Sequence, residues 1–412
     1  MDPAHPGDGL SPVPDGPASA GPDPRTTPAG PEAWPPASRW PEVLHRAVHA
    51  VAAATPGRRM PLVGLSGGAD SLALAVATAE AVRTRANPAL AGGAGAVVVD
   101  HGLHEDSAAV ADRAAAIARR LGLDPVVVER VQVTTTGDGP EAEARRARYT
   151  ALEAAAQRLD SGAVLLAHTR DDQAEQVLLG LARGSGTRSL AGIRRRRGLI
   201  LRPLLDLTRQ ETEAICRWAG VRWWQDPANA DPAYLRSRLR TRVLPALEDP
   251  DEGLGPGLSA ALARSADIAA EDADALEQWA SREYSRLVGH RSGEHTSGTG
   301  SRPDITADRG AHVFLPLEEL AALTDAIRYR VIGTAVVAAG GERPSRERVL
   351  AVDRLIAGRA GGGTSAGPVQ LPGGVVSRRR RTGGYATLDF DAGEVLESAD
   401  PPDSPDPPAP SR

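Results

Sequence analysis

The 412-residue sequence contains no lysine. All 48 basic residues are arginine, set against 53 acidic ones for a formal net charge of -5, so any nucleic-acid contact has to come from local arginine patches. Cysteine occurs once, at Cys216, which excludes an intrachain disulfide and any two-cysteine metal or redox motif and points to a reducing compartment. Aromatics are only 3% of the chain, so alanine must do much of the packing within a hydrophobic content of 41%. No stretch approaches the ~20 apolar residues of a membrane span, and the N-terminus has no basic flank leading into an apolar core. The expectation is a soluble, cytoplasmic protein of two or three domains with no membrane partner.

What is present is organised around LVGLSGGADSLAL, residues 62–74. Its first four residues read as a buried strand and its last residues as the start of an Ala-rich helix. Between them, Gly67 and Gly68 carry no Cβ, so backbone N–H groups can close around an anion at the helix N-terminus. Ser66 and Ser71 add hydroxyls, and Asp70 adds a carboxylate that could reach a metal or a ribose. No lysine follows, so this is not the GxxxxGK[ST] loop. An ordinary strand–turn–helix corner is the bland alternative. At residue frequencies of roughly 5–7% each, a chance SGGxDS has odds on the order of one in a thousand, which favours a phosphate cradle.

Along the chain, 1–38 is rich in Pro, Gly, Ala and Asp and is expected to be disordered. A helix follows from Pro41. Strands are expected over 96–99, 126–131 and 163–167, alternating with helices over the stretch of Val110 to Leu121, over 141–159 and from Asp171. Thr208 and Glu211 form a capping box for a helix through Trp218. Strands alternating with crossover helices imply an α/β fold, a doubly wound parallel sheet, spanning 39–248. Its ligand should lie beyond the carboxyl ends of the strands, where the glycine loop, Asp100, His101 and His168 all fall. A second, smaller, mainly helical domain is expected over 249–390, with helices over 258–288, 320–339 and 346–356, a loop over 289–303 and a hairpin over 369–388. An acidic, proline-rich, disordered tail should occupy 391–412.

Three constellations stand out. Asp171, Asp172 and Glu175 open a helix; Asp172 and Glu175 share a face and suit a cationic substrate, although first-turn acids that cap a helix explain them equally well. Arg145 and Arg148 lie one turn apart and could meet phosphates, against the blander reading of a solvated face with pairs such as Glu141 and Arg145. Arg236, Arg238, Arg240 and Arg242 would flank a helix whose apolar stripe is Leu235, Leu239 and Val243, a helix able to bridge core and phosphate backbone. The run Arg194 to Arg197 reads as a solvated loop. His101 and His168 fit no metal spacing, so Mg²⁺ should arrive with ATP, and no metal is expected to be fixed by the protein alone.

In this order, SGGADS (66–71), VDHGL (99–103), ARRARY (144–149), AHTRDDQAE (167–175), RGSG (183–186), RPLLDLTRQE (202–211) and DPANADPAYLRSRLR (226–240) resemble the tRNA(Ile)-lysidine synthetase family of the PP-loop ATPase superfamily. SGGADS alone indicates the superfamily; the later motifs narrow it. His104, Gln176 and Ser237 depart from the family pattern, which usually has arginine, threonine and asparagine there. By that resemblance a tRNA contact at Ser237 should be single or water-mediated, and asparagine should be tolerated there. The resemblance implies a ligase. ATP adenylates the wobble cytidine of the CAU-anticodon isoleucine tRNA at the carbonyl oxygen on carbon two, and the side-chain amine of L-lysine then displaces AMP. By the same resemblance Ser66, Gly67, Gly68, Ala69, Asp70 and Ser71 grip ATP, with Asp100, His101 and His168 beside it and Asp70 near the Mg²⁺ or the adenylate. Arg145 would offset charge on the phosphoryl centre. Asp172 and Glu175 would hold the lysine amine, and Arg148, Arg236 and Arg240 would address tRNA. A homodimer is left open. Another PP-loop enzyme, a tRNA thiolase or an amide synthetase, would share SGGADS; the thiolase usually needs cysteines that a single Cys216 cannot supply. A non-catalytic tRNA-binding module is the third alternative.

Overall fold

The computed structural model describes residues 34–55, 57, 59–102, 106–131, 140–184, 186–226, 231–294, 312–357, 367–382 and 385–392. The expected disordered segments up to residue 33 and from 393, His104, and the expected 289–303 loop from residue 295 lie outside the described residues, whereas 289–294 continue a helix and 391–392 end a strand. Trp34 to Ser38, expected to be disordered, are instead placed, because the Trp34 ring packs on Trp218 at 5.3 Å between centroids.

In chain order the first unit carries α1 (Glu42–Ala54), β1 (Pro61–Leu65), α2 (Ala69–Arg83), β2 (Gly95–Asp100), α3 (Ser107–Arg120), β3 (Val126–Arg130), α4 (Pro140–Arg158), β4 (Ala163–Leu165) and α5 (Arg170–Ala182). After α6 (Thr187–Leu190) come β5 (Arg196–Arg197), β6 (Ile200–Leu201), α7 (Arg209–Trp218), α8 (Leu235–Arg238), a π-helical segment (Leu239–Val243) and α9 (Leu244–Leu247). The strands form one sheet in the order β3-β2-β1-β4-β6-β5, parallel except for β5 against β6. Alternation along the strands divides the core: Val63, Leu65, Ala96 and Val98 pack with α1, α2, α3 and α7, while Leu62, Val97 and Val99 pack with α4. That is the doubly wound arrangement, and strand order runs both ways from β1, placing the crevice at its carboxyl end.

Two short strands went unforeseen. β5 and β6 are two residues each, too short for a period to show, and β5 lies within the arginine run read as a solvated loop. Arg195 is held there by Asp206 through two bonds of 2.7 and 2.8 Å. Five residues after Asp206, Glu211 completes the expected capping box with Thr208 and also receives Arg46 of α1 at 2.6 Å, so one carboxylate ends a loop and anchors α1.

The second unit comprises α6 and the chain from Asp267 onward. It contains most of α10 (Leu258–Glu294), then β7 (Val313–Pro316), α11 (Leu317–Ala322), α12 (Asp325–Ala338), α13 (Arg346–Ala357), β8 (Val369–Leu371), β9 (Val375–Thr382) and β10 (Tyr385–Ala392). The expected hairpin forms, with β8, β9 and β10 paired in turn, and β7 extends it to a four-stranded antiparallel sheet, β7-β10-β9-β8. Phe390, Leu388 and Leu315 of that sheet are buried with Val331, Val336 and Val352 of the helices. Along α10 the buried residues are Ala266, Ala273, Ala280 and Leu287, seven apart and therefore on one face, whereas Ile268 and Trp279 are exposed. Among the described residues no helix is long and apolar enough to cross a membrane.

Candidate active site

The glycine loop leaves β1 at Ser66 and enters α2 at Ala69. Gly67 needs to be glycine twice over: its φ is +81°, and a Cβ would stand 2.9 Å from Val110 Cγ1. Its carbonyl accepts the N–H of Trp224 at 2.9 Å, which fixes the loop from the far side. Gly68 has an ordinary φ of -78°, and the one neighbour a Cβ would meet is Ser66 Oγ at 3.7 Å, so its lack of a side chain serves open space, not conformation. No side chain caps α2, which leaves the N–H groups at its start available to an anion. Ser71 donates its one hydroxyl proton to the Gly68 carbonyl at 2.9 Å and accepts from the Ser66 N–H at 3.2 Å, so it shapes the cradle.

Asp70 turns toward α7. Its carboxylate takes Thr212 Oγ1 at 2.5 Å and the Arg209 guanidinium at 3.0 Å, and Asp171 in turn accepts the Arg209 backbone N–H at 2.7 Å. Burial raises the Asp70 carboxyl above the ordinary carboxylate range; Arg209 and Thr212 pull it down, and the nearby Asp172 pushes it up again. Thr212 has one hydroxyl proton for two acceptors, Asp70 and the Arg209 carbonyl at 2.8 Å, and a protonated Asp70 would satisfy both. Arg209 and Thr212 carried no sequence signal of their own beyond lying in and beside RPLLDLTRQE.

At the end of β2, buried Asp100 accepts the Gly102 N–H at 3.1 Å. With Ser66, His101, Val110, Trp224 and Asp226 it lines a narrow hollow beside the glycine loop. At the end of β4, His168 Nδ1 accepts Arg202 Nε at 3.3 Å, which leaves Nε2 as the protonated nitrogen. Burial lowers the imidazole pKa to about 3, with Arg202, Arg148 and Arg145 acting in the same direction against Asp172. His168 is therefore a neutral hydrogen-bond donor, not a base. Arg202, buried at 5% exposure, also donates to the Tyr149 hydroxyl at 3.0 Å and to the Arg194 carbonyl at 2.8 Å. Arg145 lies over the Tyr149 ring at 5.2 Å, and Arg148 is half-buried beside it, its guanidinium pKa lowered by burial. Burial would raise the Tyr149 phenol, but Arg145, Arg202 and Arg148 bring it below its usual value. The strand ends thus hold a cluster of arginines gathered on one tyrosine and one neutral histidine, a setting for a polyanion. Arg202 and Tyr149 close this cluster; each is a single letter of a motif, and nothing in its spacing marked it.

One pH effect follows. A histidine kept neutral by the fold contributes stability that is present above its unfolded pKa of ~6.5 and is lost as pH falls toward 3. His168→Asn keeps an acceptor for Arg202 and cannot charge. It should flatten the fall in unfolding free energy between pH 7 and 5 by about 1 kcal/mol, discounted for partial exposure. Equal slopes for variant and parent in urea titrations would contradict this.

Asp172 caps α5 and also bonds a cation. Its Oδ2 accepts the Thr169 N–H at 2.8 Å as a capping box, while Oδ1 takes Arg240 at 3.2 Å. Glu175, 1% exposed, takes Arg240 Nε at 2.7 Å through Oε1. Burial raises its carboxyl pKa against the pull of Arg240. The two carboxylates share a face, as their spacing implies, and the cation they hold is the chain's own. Arg236 bonds Gln176 at 2.9 Å, and Arg238 bonds the carbonyls of Pro232 and Ala233. The arginine helix does not follow its expected stripe: Leu235 and Val243 are exposed, and Ser237, Leu239 and Leu244 are buried. The π segment sets Leu239 and Leu244 five positions apart on one side and moves Val243 off it, while Leu235, ahead of the π segment, is exposed at the start of α8.

Ser237, one of the departures, was expected to contact tRNA singly or through water and to tolerate asparagine. It is 5% exposed, and Ser237→Asn adds atoms to a filled space. The variant should lose about 1–2 kcal/mol of stability, seen as a melting point lower by several degrees. An unchanged melting point with tighter tRNA binding would restore the surface role.

Cys216 donates its thiol to the Ala69 carbonyl at 3.3 Å, and burial pushes its pKa well above the usual range, so it is structural. Among the described residues no three His, Cys, Asp or Glu side chains are placed to hold a metal ion.

The family profile of the PP-loop domain matches residues 42–247. The tRNA(Ile)-lysidine synthase of Leifsonia xyli is 48% identical over 319 residues, covering 77% of this chain and 87% of that one. That of Thermobifida fusca is 44% identical over 348 residues, covering 84% and 93%. Among solved structures, the U34-tRNA thiolase of Methanococcus maripaludis aligns with a TM-score of 0.45 at 17% identity, over 56% of this chain and 80% of that one.

Proposed function

The chain belongs to the tRNA(Ile)-lysidine synthase family of PP-loop enzymes, and on that premise we propose how its residues divide the joining of lysine to the wobble cytidine of the CAU-anticodon isoleucine tRNA. In the first step the uncapped start of α2 and the backbone at Gly67 and Gly68 take the phosphates of ATP. Arg145, Arg148 and Arg202 offset the charge that builds as the cytidine oxygen attacks and pyrophosphate leaves. The base must be unstacked for this, which an anticodon loop makes inexpensive. Mg²⁺ fits as an ion brought by the phosphates, with Asp70 the carboxylate beside the loop that would meet it, since among the described residues no group of three ligands is placed to hold it. It would neutralise phosphate charge there.

In the second step Asp172 and Glu175 orient the lysine amine, and AMP departs as the amine attacks carbon two. The observation that carries a two-step reading is that Arg209 joins the phosphate loop to the head of the helix bearing the acidic pair, its guanidinium bonding Asp70 at 3.0 Å and its backbone N–H bonding Asp171 at 2.7 Å. The phosphate loop and the acidic pair form one site, where an adenylated base and an amine can meet. Arg236 and the second unit are assigned to the tRNA, and a homodimer belongs to the same reading, to be read by sedimentation.

The test separates the products. Pyrophosphate release should require ATP and a tRNA with cytidine at the wobble position but no lysine, whereas AMP release should require lysine as well. AMP release with ammonium or a sulfur donor in place of lysine would point to another PP-loop chemistry.

A further inference from the structure

The four oxygens of the acidic pair can each be accounted for. Asp172 Oδ2 is held by the Thr169 N–H and hydroxyl at 2.8 and 3.1 Å. Asp172 Oδ1 and Glu175 Oε1 are taken by Arg240. Glu175 Oε2 alone is buried with no hydrogen-bond partner among the described residues. A lysine ammonium has three protons and needs acceptors from both carboxylates to be oriented. Arg240 stands where two of those bonds would form.

We propose that Arg240 is a built-in competitor of the substrate amine, closing the lysine pocket until docking of tRNA on the arginine helix draws its guanidinium away. The proposal rests on the reading of Asp172 and Glu175 as the lysine site. Three features of the helix favour a movable clasp over a fixed strut. Arg240 sits inside the π segment, which holds one residue more per turn than an α-helix; shifting that extra residue along the helix would rotate Arg240 by roughly 100°, away from α5. Besides Arg240, Arg236 holds the helix to α5 through its bond to Gln176 at 2.9 Å, made by a glutamine where the family resemblance has the shorter threonine. Its solvent side carries Leu235 and Val243 exposed at 48% and 39%, with Arg242 exposed and Arg238 bonded to carbonyls, so phosphates and bases can engage it. The consequence is an order: the amine enters a pocket that the tRNA has opened.

The experiment measures L-lysine binding by equilibrium dialysis, without ATP, in the presence and absence of the CAU-anticodon tRNA. For the parent chain tRNA should tighten lysine at least tenfold. In Arg240→Gln the tRNA effect should fall below threefold because lysine already binds the free protein. Gln176→Thr, which leaves both carboxylates and Arg240 in place, should reduce the effect in the same direction; if Arg240→Gln does not fold, this variant decides, and an undiminished tRNA effect in it overturns the proposal. Equal weakening of lysine with and without tRNA in Arg240→Gln would make Arg240 a fixed support and overturn it, as would a parent chain whose lysine affinity ignores tRNA. Glu175→Gln serves as the separate check: it should weaken lysine at least tenfold in both conditions. If it does not, the lysine-site assignment itself fails, and the competitor role goes with it.

Discussion

Replacing Glu175 by glutamine is expected to leave formation of the adenylated tRNA within a few-fold of the parent rate and to slow lysine-dependent AMP release by two orders of magnitude or more. Glu175 is 1% exposed, and burial has raised its carboxyl pKa, so its charge is held in a site where it is costly and correspondingly effective on a cation. Glutamine keeps the size and an acceptor but removes the charge that offsets the ammonium, a loss of roughly 2–4 kcal/mol for a desolvated pair. Adenylation does not involve the amine and should not register that loss. Asp172→Asn should behave alike, with added loss of stability because Asp172 also caps α5 through Thr169. Ornithine, one methylene shorter, should react poorly with the parent chain because its amine falls short of the reacting carbon. Equal defects in both steps for Glu175→Gln would remove the residue from the lysine site and leave it as the anchor of Arg240.

The second large effect separates the two glycines of the loop. Gly68→Val should fold with a melting point close to that of the parent, since φ at 68 is ordinary and the added Cβ meets only Ser66 Oγ, while tRNA-dependent pyrophosphate release drops more than a hundredfold because a branched side chain stands at the uncapped start of α2. Gly67→Ala should show the reverse emphasis. Its backbone is left-handed and its Cβ would press on Val110, so about 1–3 kcal/mol of stability should be lost along with activity. Unimpaired ATP turnover by Gly68→Val would place the phosphates elsewhere.

These two sites differ in how far the residues alone announced them. The phosphate loop was legible because strand, glycine turn and helix are contiguous, and local chemistry fixes the conformation of Gly67. The doubly wound sheet was legible for the same reason: its strands are buried runs separated by amphipathic helices. β5 and β6 were not, being two residues long, nor was the β7 strand of the second unit's sheet, which lies far in sequence from its partner β10. At the site, helical spacing put Asp172 and Glu175 on one face but could not reveal that Arg240, 65 and 68 residues away, would reach both. The arginine helix misled because a π segment shifts the phase on which an apolar stripe is read, burying Leu244 in place of Val243. Thr212 and Arg202 act through contacts made across the chain, to Asp70 and to His168 and Tyr149, and no periodicity encodes those.

The most direct measurement is nucleoside mass spectrometry of the CAU-anticodon isoleucine tRNA after incubation with the purified chain, ATP and L-lysine. The expected result is a wobble cytidine heavier by one lysine less one water, absent when lysine or ATP is omitted and absent with Glu175→Gln over the same time. An unmodified wobble cytidine in the complete reaction, or a mass gain that appears without lysine, would contradict the assignment.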